Sequence, residues 1–269
     1  MNRPAVFYPL RQNWPEYLSE AALLALFMLS ASSFGLLLEH PGSPLRAALG
    51  DPLARRALTG VAMGLTAIAL IYSPLGKRSG AHMNPAVTLT YLHLGKVGAR
   101  DAGSYVAAQF LGGAAGMGLA ALVFGRLLAE PSVNYVVTQP GSHGVALAFL
   151  AEFAISLVLM SVVLRVSSSP RVARYTGLCA GALVALYITF EAPLSGMSMN
   201  PARSFGSALC ASSWMDFWIY LTAPLLGMGT AALLYTRSRR MPPVHCAKLH
   251  HDNPYRCIFC GADAAPREA

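Results

Sequence analysis

The chain has 269 residues, of which 55% are hydrophobic and 12% are charged, and its formal net charge is +8. Soluble globular domains carry about 25% charged residues, so this composition excludes an ordinary soluble protein and places most of the chain in lipid. Lys and Arg lie in short segments between apolar runs, which is the arrangement that orients membrane proteins. A nucleic-acid partner is therefore not expected, despite the positive charge.

Six long apolar segments predict six transmembrane helices. Most of them approach the ~20 residues that a helix needs to cross ~30 Å of hydrocarbon. In chain order they cover residues 17–38, 57–73, 104–128, 144–166, 175–192 and 216–236. Residues 1–15 are polar, and the apolar run that follows them is too long for the core of a cleaved signal peptide. We therefore expect the first span to be retained.

Two shorter apolar segments, 80–94 and 194–210, contain Gly and Pro and are too short to cross. Each carries an Asn-Pro-Ala triplet, and the two triplets are 116 residues apart: Asn84-Pro85-Ala86 and Asn200-Pro201-Ala202. Three spans per half is an odd number, so the second half must enter the membrane from the opposite face, as an inverted repeat.

The predicted fold class is an all-α membrane protein with six transmembrane helices and two re-entrant half-helices. The channel domain covers residues 16–236, with repeat halves at about 16–128 and 144–236. It is flanked by an N-terminal tail, 1–15, and a C-terminal tail, 237–269. With both termini cytoplasmic, fifteen Lys and Arg residues would lie on that side and four on the other, which is the bias expected for this orientation.

The triplets predict two half-helices that meet near the middle of the membrane. Asn is a favoured helix N-cap, and Pro at the first helical position wastes no N–H donor. The partially positive N-termini would face each other, and Asn84 and Asn200 would offer donors to a passing oxygen. We expect the free carbonyls of residues 80–82 and 196–198 to line a polar path, which is tolerated only beside a water-filled cavity. Cations, protons included, are disfavoured there.

Residues 79–88, Ser-Gly-Ala-His-Met-Asn-Pro-Ala-Val-Thr, and 196–206, Gly-Met-Ser-Met-Asn-Pro-Ala-Arg-Ser-Phe-Gly, resemble the two signature loops of the aquaporin (major intrinsic protein) family. The resemblance covers about residues 16–236. It implies a passive channel of the bacterial type for water or small solutes, with no enzymatic activity and no cofactor for transport. It also implies a homotetramer with one pore per subunit, multi-pass in the cell (plasma or inner) membrane.

The same resemblance implies a selectivity filter on the outer side of the paired Asn residues. Arg203 matches the filter arginine, and an arginine inside a membrane is costly enough to indicate function. Met197 and Ile188 fall at two further filter positions. The fourth is Gly64 when counted back from Asn84, or Met63 when the alignment is fixed on the Gly64-Leu65-Thr66 run. The His and the aromatic residue of strict water channels are absent. The filter is therefore expected to be wider and more apolar.

The sequence gives mixed signals on the solute. Ser204 and Ala208 look like the residues of water channels, since glycerol channels of the family carry Asp and Lys there. Tyr220 is also of the water type, whereas Leu221 replaces the usual Trp. We expect water as the main solute, with leakage of small uncharged solutes such as glycerol or ammonia.

Three residues are expected to support the loops. Glu20 and Glu152 match the family's buried glutamates, which hold the loop backbones; the alternative is a helix-end charge at the membrane interface. His82 is expected to act through its carbonyl rather than its ring. Close helix packing is expected at four glycines of the third span: Gly112, Gly113, Gly116 and Gly118.

The C-terminal tail lies outside the family resemblance and contains clustered Cys and His. Cytoplasmic thiols stay reduced, and Cys-x2-Cys with a nearby Cys and His is typical of structural zinc sites. The candidate ligands are Cys246, His250 or His251, Cys257 and Cys260. Two interpretations stay open. One is a zinc-binding knuckle with almost no apolar core, dispensable for conduction; the other is a disordered basic tail whose Cys and His are incidental.

Two rival functions use comparable features. A secondary transporter also has inverted repeats and broken helices, but only Glu20 and Glu152 could form its coupling site. A membrane metalloprotein, acting as a sensor or enzyme through its tail, would need an open metal position and an acid–base residue. Only Asp252 and Asp263 lie near the tail's Cys and His. The sequence favours the channel.

Overall fold

The structure is a computed structural model that describes residues 10–262. Arg3 and the other residues before position 10 lie outside the described residues. So do residues 263–269, with Asp263.

The described chain is built from helices. In chain order they are α1 (Leu10–Glu39), α2 (Pro44–Ala48), α3 (Pro52–Tyr72), α4 (Pro74–Ser79), α5 (Pro85–His93), α6 (Ala99–Phe124), α7 (Val145–Ser167), α8 (Thr176–Phe190), α9 (Ala192–Ser195), α10 (Pro201–Ala211) and α11 (Phe217–Arg237). Short 3₁₀ turns lie at Gly125–Ala129, Asn134–Val136 and Ala173–Tyr175. The described residues contain six helices long and apolar enough to cross a membrane, built on α1, α3, α6, α7, α8 and α11. With α5 and α10 as half-helices, the predicted fold class is confirmed.

The helices of the two halves pack in equivalent pairs. α1 packs against α6 and α7 against α11, while α3 meets α8 where the halves join. A Cβ atom at Gly112 or Gly116 of α6 would lie 2.2 Å or 2.5 Å from backbone atoms of Ala21 or Ala25 in α1, so these positions accept only glycine. Gly118 meets nothing within 4 Å, so its predicted role in helix packing is wrong.

The half-helices begin where the triplets predict. Asn84 caps α5 by accepting the Ala86 N–H at 2.8 Å, and Asn200 caps α10 by accepting the Ala202 N–H at 3.1 Å. Pro follows each cap at the first helical position. α10 approaches α6 closely, because a Cβ atom at Gly113 would lie 2.5 Å from the Ala202 carbonyl oxygen.

Residues 238–262 form no helix and fold back onto the bundle. The Tyr235 hydroxyl donates to the Pro242 carbonyl at 2.7 Å and starts the reversal. Five apolar residues of the segment are buried in the same cluster as the channel helices: Val244, Ala247, Leu249, Ile258 and Phe259. The expectation of almost no apolar core is wrong, because these side chains are buried against the bundle.

Gly112→Ala tests the close contact of α1 with α6. We expect it to destabilise the protein by about 1–3 kcal/mol, because the added methyl group overpacks a backbone contact. The measurement is thermal unfolding in detergent beside Gly118→Ala on the same helix, where there is room for the methyl group. Equal stability of the two variants would contradict this packing.

Candidate functional site

A cavity of about 300 Å³ lies between the two halves of the repeat. Glu39 at the end of α1 and Arg56 at the start of α3 lie at one end of it. Ile71 at the end of α3 and Leu249 of the tail lie at the other. Much of the wall is apolar, and it includes Leu24, Phe27, Ala31, Ala67, Val87, Leu159, Val163 and Val184. The polar groups of the wall come mainly from the two loops and their asparagines.

The two asparagines cross-link the loops at the centre of the cavity. Asn84 Nδ2 donates to the Met199 carbonyl at 2.7 Å, and Asn200 Nδ2 donates to the Met83 carbonyl at the same distance. Each amide oxygen already caps its own half-helix. Since a carboxamide NH₂ carries two donor hydrogens, one donor on each asparagine is left for the cavity that both residues line.

Glu20 holds the first loop. Its Oε1 accepts hydrogen bonds from the Ser79 hydroxyl at 2.7 Å and the His82 N–H at 3.0 Å. Its Oε2 accepts from the Met83 N–H at 2.6 Å and the Gln109 amide at 2.8 Å. The carboxylate is fully buried and is not at a membrane surface.

Glu152 holds the second loop in the same way. Its Oε1 accepts from the Ser195 hydroxyl at 2.8 Å and the Ser198 N–H at 2.7 Å, and its Oε2 accepts from the Met199 N–H at 2.7 Å. It is also fully buried. The two carboxylates therefore hold equivalent loop groups in the two halves, and Glu20 has the Gln109 amide as an additional donor.

The loops share one unusual backbone path. Three residues in each have positive φ: Gly80 (+100°), Ala81 (+56°) and Met83 (+49°), and Gly196 (+81°), Met197 (+52°) and Met199 (+55°). Non-glycine residues adopt this region at a cost of about 1–3 kcal/mol each, so the surroundings must enforce it. The bonds to the two glutamates and the reciprocal asparagine bonds do so.

The predicted filter residues lie on the cavity wall. Arg203, Ile188, Met197 and Met63 all line it, whereas Gly64 does not. A Cβ atom at Gly64 would lie 2.5 Å from the carbonyl oxygen of Gly181 in α8, so Gly64 serves helix packing. Of the two alternatives for the fourth position, the geometry favours Met63.

Arg203 keeps a free donor beside the cavity. Its backbone N–H contacts the Asn200 amide oxygen at 3.3 Å, which fixes the residue in the first turn of α10. Its Nη1 atom is buried and has no hydrogen-bond partner among residues 10–262. The residue lines the cavity, so its charge acts on a molecule there, although Nη1 itself is closed off from a water-sized molecule.

Sequence reasoning missed Glu191, which follows α8. This side chain is 8% exposed, and its Oε1 accepts from the Ser195 hydroxyl at 2.5 Å. The same hydroxyl lies 2.8 Å from Glu152 Oε1, so the two carboxyl groups share its single hydrogen. The signal available in the sequence was a carboxylate directly after an apolar span.

His82 differs from the expectation, because its ring is used. Nε2 lies 2.8 Å from the Ala247 carbonyl and Nδ1 lies 3.0 Å from the Thr88 hydroxyl. A carbonyl only accepts hydrogen bonds, so Nε2 carries the proton. The ring also stacks on Phe259 with centroids 5.4 Å apart and an interplanar angle of 5°. The imidazole therefore joins the first loop to the C-terminal tail.

The tail brings four of the predicted metal ligands together. The ligand atoms of Cys246, His251, Cys257 and Cys260 all lie within 4.8 Å of one another. Zinc bound to thiolates at about 2.3 Å in a tetrahedron would space its sulfurs by about 3.8 Å, so the group has a suitable size. His250 lies outside it and packs against the Tyr72 ring at 5.0 Å. The geometry therefore favours His251 over His250.

A tight turn presents two of the four ligands, and hydrogen bonds within the cluster redistribute its protons. The Cys257 carbonyl accepts the Gly261 N–H at 2.9 Å, which closes the turn after Cys260, and Gly261 has a φ of +70°. Hydrogen bonds with Cys246 and Cys257 lower the pKa of the Cys260 thiol below its ordinary range. Hydrogen bonds with Cys257 and Cys260 raise the pKa of His251 to about 10. A thiolate is the form that binds metal, and a metal would displace the imidazole proton.

The family model for Major intrinsic protein matches residues 10–235. The chain belongs to the major intrinsic protein family, as the two loops predicted. A solved structure, the aquaglyceroporin from Plasmodium falciparum, aligns with a TM-score of 0.67 over 83% of this chain and 96% of that one. Its sequence identity is 19%, so this likeness concerns the fold alone.

Curated relatives carry aquaporin names. Aquaporin NIP1-3 of Oryza sativa subsp. japonica is 38% identical over 149 residues, which cover 55% of this chain and 50% of the relative. Aquaporin NIP1-2 of Arabidopsis thaliana is 36% identical over 157 residues, covering 56% and 53%. The chain thus spans about half the length of the curated relatives it matches.

Replacing either asparagine by Leu tests the centre of the site. Asn84→Leu and Asn200→Leu each remove a helix cap, worth about 1 kcal/mol, together with the bond to the opposite loop and the free donor. We expect both variants to be less stable and to conduct water poorly in proteoliposomes, measured by stopped-flow light scattering at equal protein content. Water permeability equal to that of the parent in both variants would contradict this arrangement.

Proposed function

We propose that the protein is a passive channel for water that also admits small uncharged solutes such as glycerol or ammonia. It excludes ions and protons. The observation that carries the proposal is the reciprocal pairing of Asn84 and Asn200 between the N-termini of α5 and α10, inside a cavity that the two halves share.

The selectivity follows from the donors and dipoles at that point. Two half-helix N-termini place partial positive charge on opposite sides of the cavity centre, and each asparagine keeps one N–H for a solute oxygen. A neutral molecule with an oxygen acceptor is stabilised there, whereas a cation is repelled. A hydronium ion is repelled for the same reason.

We place the filter at Met63, Ile188, Met197 and Arg203. Arg203 supplies the one charged side chain of the set, and the other three side chains are apolar. A filter with one charged donor and an apolar remainder orients a polar solute without retaining it. It also leaves more room than one lined with His and Phe, so leakage of small solutes accompanies water transport.

The rival transporter function has little support in this geometry. It needs a carboxylate free to bind a coupling ion in the cavity. Glu20 and Glu152 each use both oxygens to hold a loop. Glu191 keeps an unpaired Oε2 among the described residues but does not line the cavity. We propose neither ion coupling nor an enzymatic reaction. Transport itself needs no cofactor.

We further propose a homotetramer in the cell (plasma or inner) membrane, by analogy with the family, with both termini cytoplasmic. An even number of spans leaves the two ends of the chain on one side. Consistent with this, Arg256 of the tail pairs with Glu16 of α1 at 3.4 Å. The bias of Lys and Arg assigns that side to the cytoplasm.

For the tail, we propose one structural zinc ion bound by Cys246, His251, Cys257 and Cys260. Zinc prefers four tetrahedral nitrogen and sulfur ligands, and a shell made only of protein ligands is structural rather than catalytic. The pairing of Cys246 with Cys257 at 3.3 Å and of His251 with Cys260 at 3.1 Å brings the four ligand atoms into one group.

The filter can be tested with Ile188→His. The imidazole should narrow the cavity and add a polar contact, so glycerol permeability should fall more than water permeability. Both are measured in proteoliposomes, with Ile188→Leu as a volume-conserving control. Unchanged selectivity in Ile188→His would place the filter elsewhere.

The zinc site can be tested by metal analysis of purified protein. We expect about one zinc ion per chain in the parent and in His250→Ala, because His250 lies outside the cluster. His251→Ala and the pair Cys257→Ser/Cys260→Ser should lose it, whereas Cys179→Ser/Cys210→Ser should keep it. Equal, near-zero zinc in the parent and in a chain ending at Arg240 would rule the site out.

A further inference from the structure

The tail reaches the channel cavity through Leu249. The Leu249 side chain is part of the cavity wall, and its backbone N–H donates to the Gly80 carbonyl at 3.1 Å. The sequence led us to expect this carbonyl to be free for the polar path. The tail instead forms part of the wall at this end of the cavity, beside the first loop.

Buried polar contacts hold the tail at this place. Lys248 is 1% exposed, and its ammonium group donates to the carbonyls of Lys77 at 2.8 Å and Arg256 at 2.9 Å. A cation this deeply buried is tolerated only when its donors are paired. Its neighbour Leu249 is therefore positioned from both sides. Before it, the Ala247 carbonyl accepts from His82 Nε2, and after it, the His250 ring packs against Tyr72.

A chain segment also packs over the second loop, but its connection to the transmembrane helices is different. A Cβ atom at Gly196 would lie 2.9 Å from the Gln139 nitrogen, and one at Gly80 would lie 3.1 Å from Lys248 Cγ. The segment over Gly196 joins α6 to α7 and is therefore anchored by a transmembrane helix at each end. The segment over Gly80 follows α11, and no transmembrane helix stands at its other end within residues 10–262.

A metal ion bound by the four-ligand cluster would fix the part of this segment that lies far from α11. Leu249 lies between two of the ligands, Cys246 and His251, and the other two come from the turn at Cys257 and Cys260. Ordering a chain segment costs conformational entropy. A metal bound only by the folded segment offsets that cost by mass action. Metal binding is thereby linked to the position of Leu249.

We propose that residues 244–262 form a metal-dependent cap of the inner channel mouth. With metal bound at Cys246, His251, Cys257 and Cys260, the cap holds Leu249 in the cavity and lowers the permeability. Loss of the metal releases the cap and opens the mouth. This inference rests on the proposed channel function and zinc site, and it replaces the expectation that the tail is dispensable for conduction.

The test uses the full chain in proteoliposomes. The protein is reconstituted as isolated, after treatment with a zinc chelator, and after chelation followed by zinc. Water permeability is measured by stopped-flow light scattering at equal protein content, with the zinc content of each sample. We expect chelation to raise the permeability severalfold and zinc to restore the low value.

Two variants, each with a matched control, separate the effect of the cap from the effect of the metal. Leu249→Ala should keep its zinc but show high permeability that no longer responds to chelation. Leu122→Ala removes the same atoms from a side chain that is 84% exposed on α6, and it should behave like the parent. Cys257→Ser/Cys260→Ser should be permanently permeable, with Cys179→Ser/Cys210→Ser as its matched control.

The outcomes distinguish the cap from the proposals beneath it. If the protein binds zinc but chelation leaves its water permeability unchanged, the cap is overturned. If chelation lowers the permeability, the cap is also overturned, and the tail instead supports the first loop. A parent without zinc would overturn the metal site. If neither the parent, in any metal state, nor Leu249→Ala transports water, the proposed channel function is overturned.

Discussion

Hydrocarbon offers no hydrogen bonds, so irregular backbone in mid-membrane requires partners from the protein itself. Two buried carboxylates meet this requirement. Glu20 and Glu152 each accept two backbone N–H groups from the loop before a half-helix. An unpaired buried group costs about 1–3 kcal/mol, so without these bonds the loops would lose their path. The positions of Asn84, Asn200 and Arg203 all depend on it.

The inverted repeat extends from the topology to individual hydrogen bonds. Tyr105 donates to the Ser79 carbonyl at 2.7 Å in the first half, and Tyr220 donates to the Ser195 carbonyl at 2.6 Å in the second. The symmetry ends at the membrane surfaces. A connecting loop covers Gly196 on one side and the tail covers Gly80 on the other. The loop is held by a transmembrane helix at each end, whereas the described part of the tail is held by one, at its start.

Much of the fold could be predicted because its signals are local. Hydropathy located the six spans, and Asn-Pro located the starts of α5 and α10 to the residue. Glycine packing was predicted less well. Gly112, Gly113 and Gly116 meet neighbouring backbones but Gly118 does not, and which face of a helix meets a neighbour depends on the assembled bundle.

By itself, the sequence determined the membrane class, the inverted repeat, the paired half-helices and the family, since each follows from hydropathy or from residues adjacent in the chain. The tertiary structure alone decided between Met63 and Gly64 at the cavity and between His250 and His251 in the cluster. It also showed that the His82 ring joins a tail more than 160 residues away. These choices depend on where a side chain points relative to a distant segment. One step along a helix turns that direction by about 100°, which separates Met63 from Gly64. The three histidines lie in irregular segments, whose path is fixed only by contacts with the rest of the bundle.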